Sequence, residues 1–73
     1  MKLWLLSTED YDYDEHDAMV VRAETEAAAR LLAWDALYHH ERRDRWLDAS
    51  KVQCEEVTTE GDPEVVFGSF NAG

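Results

Sequence analysis

The chain of 73 residues has little cysteine, proline, glycine or positive charge. Its single cysteine, Cys54, excludes an internal disulfide, and a lone thiol is usual in a reducing compartment. We expect Cys54 to serve as a small apolar core residue. The three glycines are too few and too scattered for a phosphate-binding loop. The length predicts a single small acidic domain, residues 1–73.

Long apolar runs are also lacking. The run at residues 3–6 is far shorter than the roughly 18 residues that a transmembrane helix needs. Acidic residues begin at Glu9, which is unlike a signal peptide. The sequence therefore predicts no association with a membrane.

Acidic residues are abundant. Asp and Glu number 17 against 7 Lys and Arg, so the net charge is -10, while 45% of the residues are hydrophobic, as in a folded domain. Residues 1–26 hold eight acidic and two basic side chains, residues 27–51 hold four and five, and residues 52–73 hold five and none. The excess lies outside the middle of the chain, and it disfavours direct binding to nucleic acid.

The pattern of apolar residues predicts an α+β domain with the order β-β-α-β-β. The predicted strands are residues 2–6, 18–23, 51–57 and 65–70, in a mainly antiparallel four-stranded sheet with one helix packed on one face. Thr25 is the predicted N-cap of a helix that runs to about His40, or to about Arg45. Spacing places Ala27, Leu31, Trp34 and Tyr38 on the stripe that faces the sheet.

The densest feature is residues 9–17 (EDYDYDEHD), between the first two strands. In an extended segment alternate side chains lie about 6.6 Å apart on one side, so Asp10, Asp12 and Asp14 would form a row of anions. Tyrosine is favoured at interfaces. We expect this segment to bind a basic surface of another protein, and acidity that serves only solubility is the alternative. The predicted partner-binding residues are Asp10, Tyr11, Asp12, Tyr13, Asp14 and Glu15, with a second patch of Glu55, Glu56, Glu60 and Asp62.

Catalytic and metal motifs are not recognisable. Asp10, Asp12 and Asp14 have the spacing of a calcium loop, but its sixth and twelfth positions are Glu15 and Val21 rather than Gly and Glu. We expect neither an enzyme nor a cofactor or metal site, and a small-ligand or metal sponge is the weaker alternative.

The helix suggests a further alternative, a homodimer. The helical wheel places Leu37 off the main stripe and predicts that it is exposed. With Ala33 and Trp46 it would form a self-association surface, typical of a structural or assembly protein.

Several segments resemble a family of small uncharacterised acidic proteins from bacteriophage and prophage genomes. These are the Tyr-Asp-rich loop, the V-V-R-A-E-T-E segment from Val20, Ala29-Arg30, Trp46 and the terminal S-F-N-A-G. The helix, longer than in those relatives, departs from the pattern. The resemblance implies an accessory protein in the cytoplasm of a bacterial cell, whose partner is a host or phage protein. One expected form is an inhibitor of host defence, similar in kind to anti-CRISPR proteins, that blocks a nucleic-acid-binding site.

Overall fold

The computed structural model describes residues 1–12 and 14–69. Its three strands form one antiparallel sheet in the order β2-β1-β3. The elements are β1 (Lys2–Ser7), β2 (Ala18–Ala23), helix α1 (Glu26–Ala36), a 3-10 helix (Arg43–Leu47) and β3 (Gln53–Val57). The α+β class and the β-β-α-β order are thus confirmed.

The predicted fourth strand is not formed in the described part of the chain. Residues 65–69 belong to no strand, and Phe70 lies outside the described residues. The prediction of a hairpin after the helix is therefore wrong. β3 pairs instead with β1, with Leu6 opposite Cys54, so β3 obtains its backbone ladder from the central strand.

Helix α1 begins where the sequence predicts and ends earlier. Thr25 is extended, and its side-chain oxygen accepts a hydrogen bond from the Ala28 amide at 3.2 Å. The helix ends at Ala36, because Leu37 is extended and the Tyr38 amide donates to the Glu41 carboxylate at 2.8 Å. A side chain from the following turn thus takes a donor that a longer helix would use itself.

The face of α1 that packs on the sheet also differs from the prediction. Ala29, Ala33 and Leu37 are buried, while Leu31 and Tyr38 are exposed. Leu37, predicted to be exposed, is only 4% exposed, so that prediction is wrong. Trp34 stays at the margin, since its indole donates to Asp44 at 3.0 Å.

Small side chains on α1 leave room for large ones from other elements. Trp46 of the 3-10 helix is completely enclosed beside Ala29 and Ala33, together with Leu6. Cys54 packs against this cluster as predicted, half-buried. The core therefore lies between α1 and one face of the sheet, and the long connections at the ends of the strands remain at the surface.

Candidate functional site: a clamped acidic loop

Residues 9–17, here called the acidic loop, join β1 to β2. The Thr8 amide donates to the Asp17 carbonyl at 3.0 Å and closes the base of the loop. At the tip, the Glu15 amide donates to the Asp12 carbonyl at 3.2 Å, and Asp14 has a φ of 63°. This is a tight turn. The prediction that Asp10, Asp12 and Asp14 form an extended row is therefore wrong for Asp14, because the chain turns between Asp12 and Glu15.

Glu15 anchors the loop to the segment that follows α1. Its carboxylate accepts two hydrogen bonds from the Arg42 guanidinium, at 2.7 Å from Nη2 and 3.1 Å from Nε. It also accepts from the Asp12 amide at 2.7 Å. Hydrogen bonds from the Arg42 side chain and the Asp12 backbone lower the pKa of Glu15 to about 2. Glu15 is therefore ionised and held, with a side chain only 6% exposed.

Arg45 provides a second attachment. Its Nη1 donates to the Asp10 carbonyl at 2.7 Å and lies 3.5 Å from the Asp10 carboxylate. Its Nη2 is 3.9 Å from Glu15. Arg42 and Arg45, the arginine clamp, thus hold both the backbone and the carboxylates of the acidic loop. Charge-assisted bonds of this kind are stronger than neutral ones.

Glu41 holds the last part of the loop from within. Its buried carboxylate accepts from the backbone amides of His16 and Tyr38, each at 2.8 Å, and contacts His16 Nδ1 at 3.0 Å. Burial raises the pKa of Glu41, but the hydrogen bonds from His16 and Tyr38 outweigh it and leave the pKa below its ordinary value. The same carboxylate therefore ends α1 and fixes the loop.

An aromatic stack flanks these contacts. The Tyr38 ring stacks on the His40 ring with a centroid distance of 5.8 Å, and the His16 ring, tilted by 35°, lies 6.0 Å from it. His40 Nε2 is 3.0 Å from the Asp14 carbonyl. The stack thus adds a third connection between the loop tip and the segment after α1.

Four carboxylates of the loop remain on the surface. Glu9 and Asp14 are exposed, and the side chains of Asp10 and Asp12 are 75% and 80% exposed. Tyr11 is half-buried, and Tyr13 lies outside the described residues. Of the loop's predicted contacts, Glu15 has a structural role. The three aspartates are exposed on a held backbone, and the carboxylates of Asp10 and Asp12 lie 3.7 and 3.6 Å from Arg42.

The four residues of the second predicted patch do not lie side by side on one surface. Glu55 lies opposite Leu5 and Glu56 opposite Trp4, so the two carboxylates point to opposite faces of the sheet. Glu56 lies 3.7 Å from Lys2. Glu60 and Asp62 are exposed in the connection after β3.

The predicted self-association residues are not on the surface. Ala33, Leu37 and Trp46 all belong to the buried core. Exposed leucines on α1 occur instead at Leu31 and Leu32. A contact between copies through α1 would therefore use these leucines.

The single thiol of the chain is not activated by its surroundings. Burial raises the pKa of the Cys54 thiol, and the Glu26 carboxylate adds to this effect, so the thiol is a poor nucleophile. Within residues 1–12 and 14–69, no three His, Cys, Asp or Glu side chains are arranged to hold a metal ion. In the same ranges, no helix has the length and apolar character needed to cross a membrane.

Glu41, Arg42 and Arg45 were not predicted as members of the site. The sequence offered one signal for them, a basic run at residues 42–45 in a chain that is otherwise acidic. One predicted end of the helix, about Arg45, would have placed this run inside the helix, whereas α1 ends at Ala36 and leaves the arginines in the segment that follows.

No protein-family model, curated protein or solved structure matches the chain.

Proposed function

We propose that this chain is a non-enzymatic binding protein whose acidic loop docks on a basic surface of another protein. One observation carries the proposal. Glu15 and Glu41 hold the loop from inside, while Asp10, Asp12 and Asp14 stay exposed on a backbone fixed by Arg42 and Arg45.

Fixing the loop favours binding, because a segment ordered in advance loses less conformational entropy on association. The charges also fit: six carboxylates in residues 9–17 exceed the two arginines of the clamp, so the surface stays negative. Such a surface attracts a basic partner and speeds their encounter.

The specific form that we propose is occupation of a basic groove that otherwise holds nucleic acid. In such a groove, the exposed carboxylates would take the place of the negatively charged phosphates of the nucleic acid. The resemblance to acidic phage and prophage proteins supports an inhibitor of host defence as the biological setting.

The test is affinity capture from bacterial lysate with three forms of the protein. The loop variant carries Asp10→Asn, Asp12→Asn and Asp14→Asn, and the control carries Glu55→Gln, Glu60→Gln and Asp62→Asn, which removes the same charge elsewhere. We expect the wild type and the control to capture a basic protein at about 50 mM salt and to release it at about 500 mM. The loop variant should lose it.

Added nucleic acid tests whether the acidic loop occupies a nucleic-acid-binding groove of the partner. If the partner's basic groove is occupied, duplex DNA or RNA will displace the captured protein. Equal loss of capture in both variants would show that the loop has no special role, because net charge or the second patch then matters as much. Capture by the loop variant would contradict the proposal.

Self-association is the second candidate, and the exposure of Leu31 and Leu32 on α1 favours it. Sedimentation would then show a dimer that Leu31→Gln with Leu32→Gln converts to a monomer. A monomer for the wild type at about 100 μM would contradict this candidate.

A further inference from the structure

Leu5 is buried on the side of the sheet that α1 does not cover. Side chains of a strand alternate, so Leu6 faces α1 and Leu5 faces away. Leu5 is nevertheless only 3% exposed, while Val20, its neighbour on β2 and on the same face, is 63% exposed. A cover must therefore lie over Leu5 and leave Val20 open.

The path of the chain after β3 identifies this cover. β3 ends at Val57, opposite Leu3, at one end of β1. Ser69 donates a hydrogen bond to the carboxylate of Asp17, beside Ala18, which lies opposite Ser7 at the other end of β1. Between these points the chain returns along the whole length of β1 and passes from the β3 edge to the start of β2.

Phe67 marks the face on which the chain returns. It lines a cavity of about 700 Å³ together with Ser7 and Gln53. These two residues lie opposite each other on β1 and β3, on the same face as Leu5. Phe67 is 42% exposed, so more than half of its surface is covered.

We infer that residues 64–69, here called the strap, cross the outer face of the sheet, cover Leu5, and open while the rest of the fold remains intact. Within the described residues the strap forms no backbone–backbone hydrogen bond. The core between α1 and the sheet includes none of its side chains. Val65 and Val66 are exposed, so closure buries little apolar area besides that of Phe67 and Leu5.

Opening of the strap changes which apolar side chains are exposed. The closed strap presents Val65 and Val66, whereas the open form presents Leu5 with Leu3 and Val20 as an apolar strip on the sheet. Because Ser69 is bonded to Asp17, the strap closes on the base of the acidic loop. This inference does not rest on the proposed function.

Thiol labelling in a Cys54→Ala background tests the strap. Leu5→Cys places a thiol under the strap, and Leu6→Cys places one on the α1 side of the same strand. We expect labelling of Leu5→Cys to become at least about tenfold faster in a chain that ends at Pro63, and faster to a smaller extent with Phe67→Ala. Leu6→Cys should stay slow in every form.

Two outcomes would overturn the inference. If Leu5→Cys is labelled equally slowly with and without the strap, something else covers Leu5. If Leu6→Cys becomes reactive together with Leu5→Cys, the strap is integral to the fold and does not open separately. Hydrogen exchange without any introduced cysteine gives a second measurement, since the β1 amides of the chain ending at Pro63 must keep their protection.

Discussion

Glu15 and Asp12 are three residues apart in the same loop, and their surroundings give them different uses. Glu15 is enclosed and bonded to Arg42 and to the Asp12 amide, whereas the Asp12 side chain is 80% exposed and its carboxylate lies 3.6 Å from Arg42 without a hydrogen bond to it. A carboxylate that accepts several charge-assisted bonds contributes to folding, and one in water remains available to a partner. Residue type alone does not distinguish the two.

The pKa of Glu15 leads to a prediction on acid stability. Its pKa is about 2 in the folded chain against an ordinary 4.5, so the unfolded chain binds more protons between these values. Stability from Glu15 is therefore complete above about pH 4.5 and declines as the pH falls towards 2. Glu41, whose pKa is also lowered, acts in the same direction.

Urea unfolding between pH 7 and about pH 2.5 measures this decline. We expect Glu15→Gln to be less stable than the wild type at pH 7 and to show a smaller loss on acidification. Glu60→Gln, an exposed carboxylate, is the control and should follow the wild type. A Glu15→Gln curve parallel to that of the wild type would contradict the role given to Glu15.

At the scale of elements, α1 illustrates how packing overrides helical periodicity. The sheet-facing positions are occupied by Ala29, Ala33 and Leu37, and the leucines nearer the helix centre face water. Alanine allows close approach, and Trp46 from the 3-10 helix fills the space that larger helix residues would take. The helix face that carries the largest apolar residues is thus not the buried face.

Two leucine substitutions test which face of α1 is buried. We expect Leu37→Ala to lower the free energy of unfolding by about 2–5 kcal/mol, because it leaves a cavity in the core. Leu31→Ala should change it by no more than about 0.5 kcal/mol, since Leu31 is exposed and alanine suits a helix. Denaturant titration measures both, and a larger loss for Leu31→Ala than for Leu37→Ala would favour the stripe predicted from periodicity.

At the scale of the whole molecule, a net charge of -10 on 73 residues makes self-repulsion a general cost of folding. The arginine clamp relieves it locally, where the loop meets the segment after α1. Carboxylates after residue 52 have no basic residue in their own segment.

Salt should therefore stabilise the protein. We expect the Tm to rise between about 20 mM and about 500 mM NaCl, because screening weakens repulsion among the many exposed acids. The Glu55→Gln, Glu60→Gln and Asp62→Asn control variant, with a net charge of -7, should gain less. A Tm that falls with salt would instead show that the ion pairs of the clamp outweigh the repulsion.

The sequence by itself determined β1, β2 and the start of α1, because each depends on local pattern: a short apolar run or β-branched residues for a strand, and a Thr25 cap for a helix. It also determined that Cys54 packs against the core and that the acidity is unevenly distributed.

Only the tertiary structure decided where α1 ends, which of its faces is buried and what the acidic loop touches. The Glu41 bond that ends α1 reaches only to Tyr38, but Glu41, Arg42 and Trp46 also meet partners 16 to 27 residues away along the chain. A contact over such a separation has no local signature. It forms because a buried carboxylate, or a buried carbonyl such as that of Trp46 beside Arg30, must find a partner wherever the fold brings one.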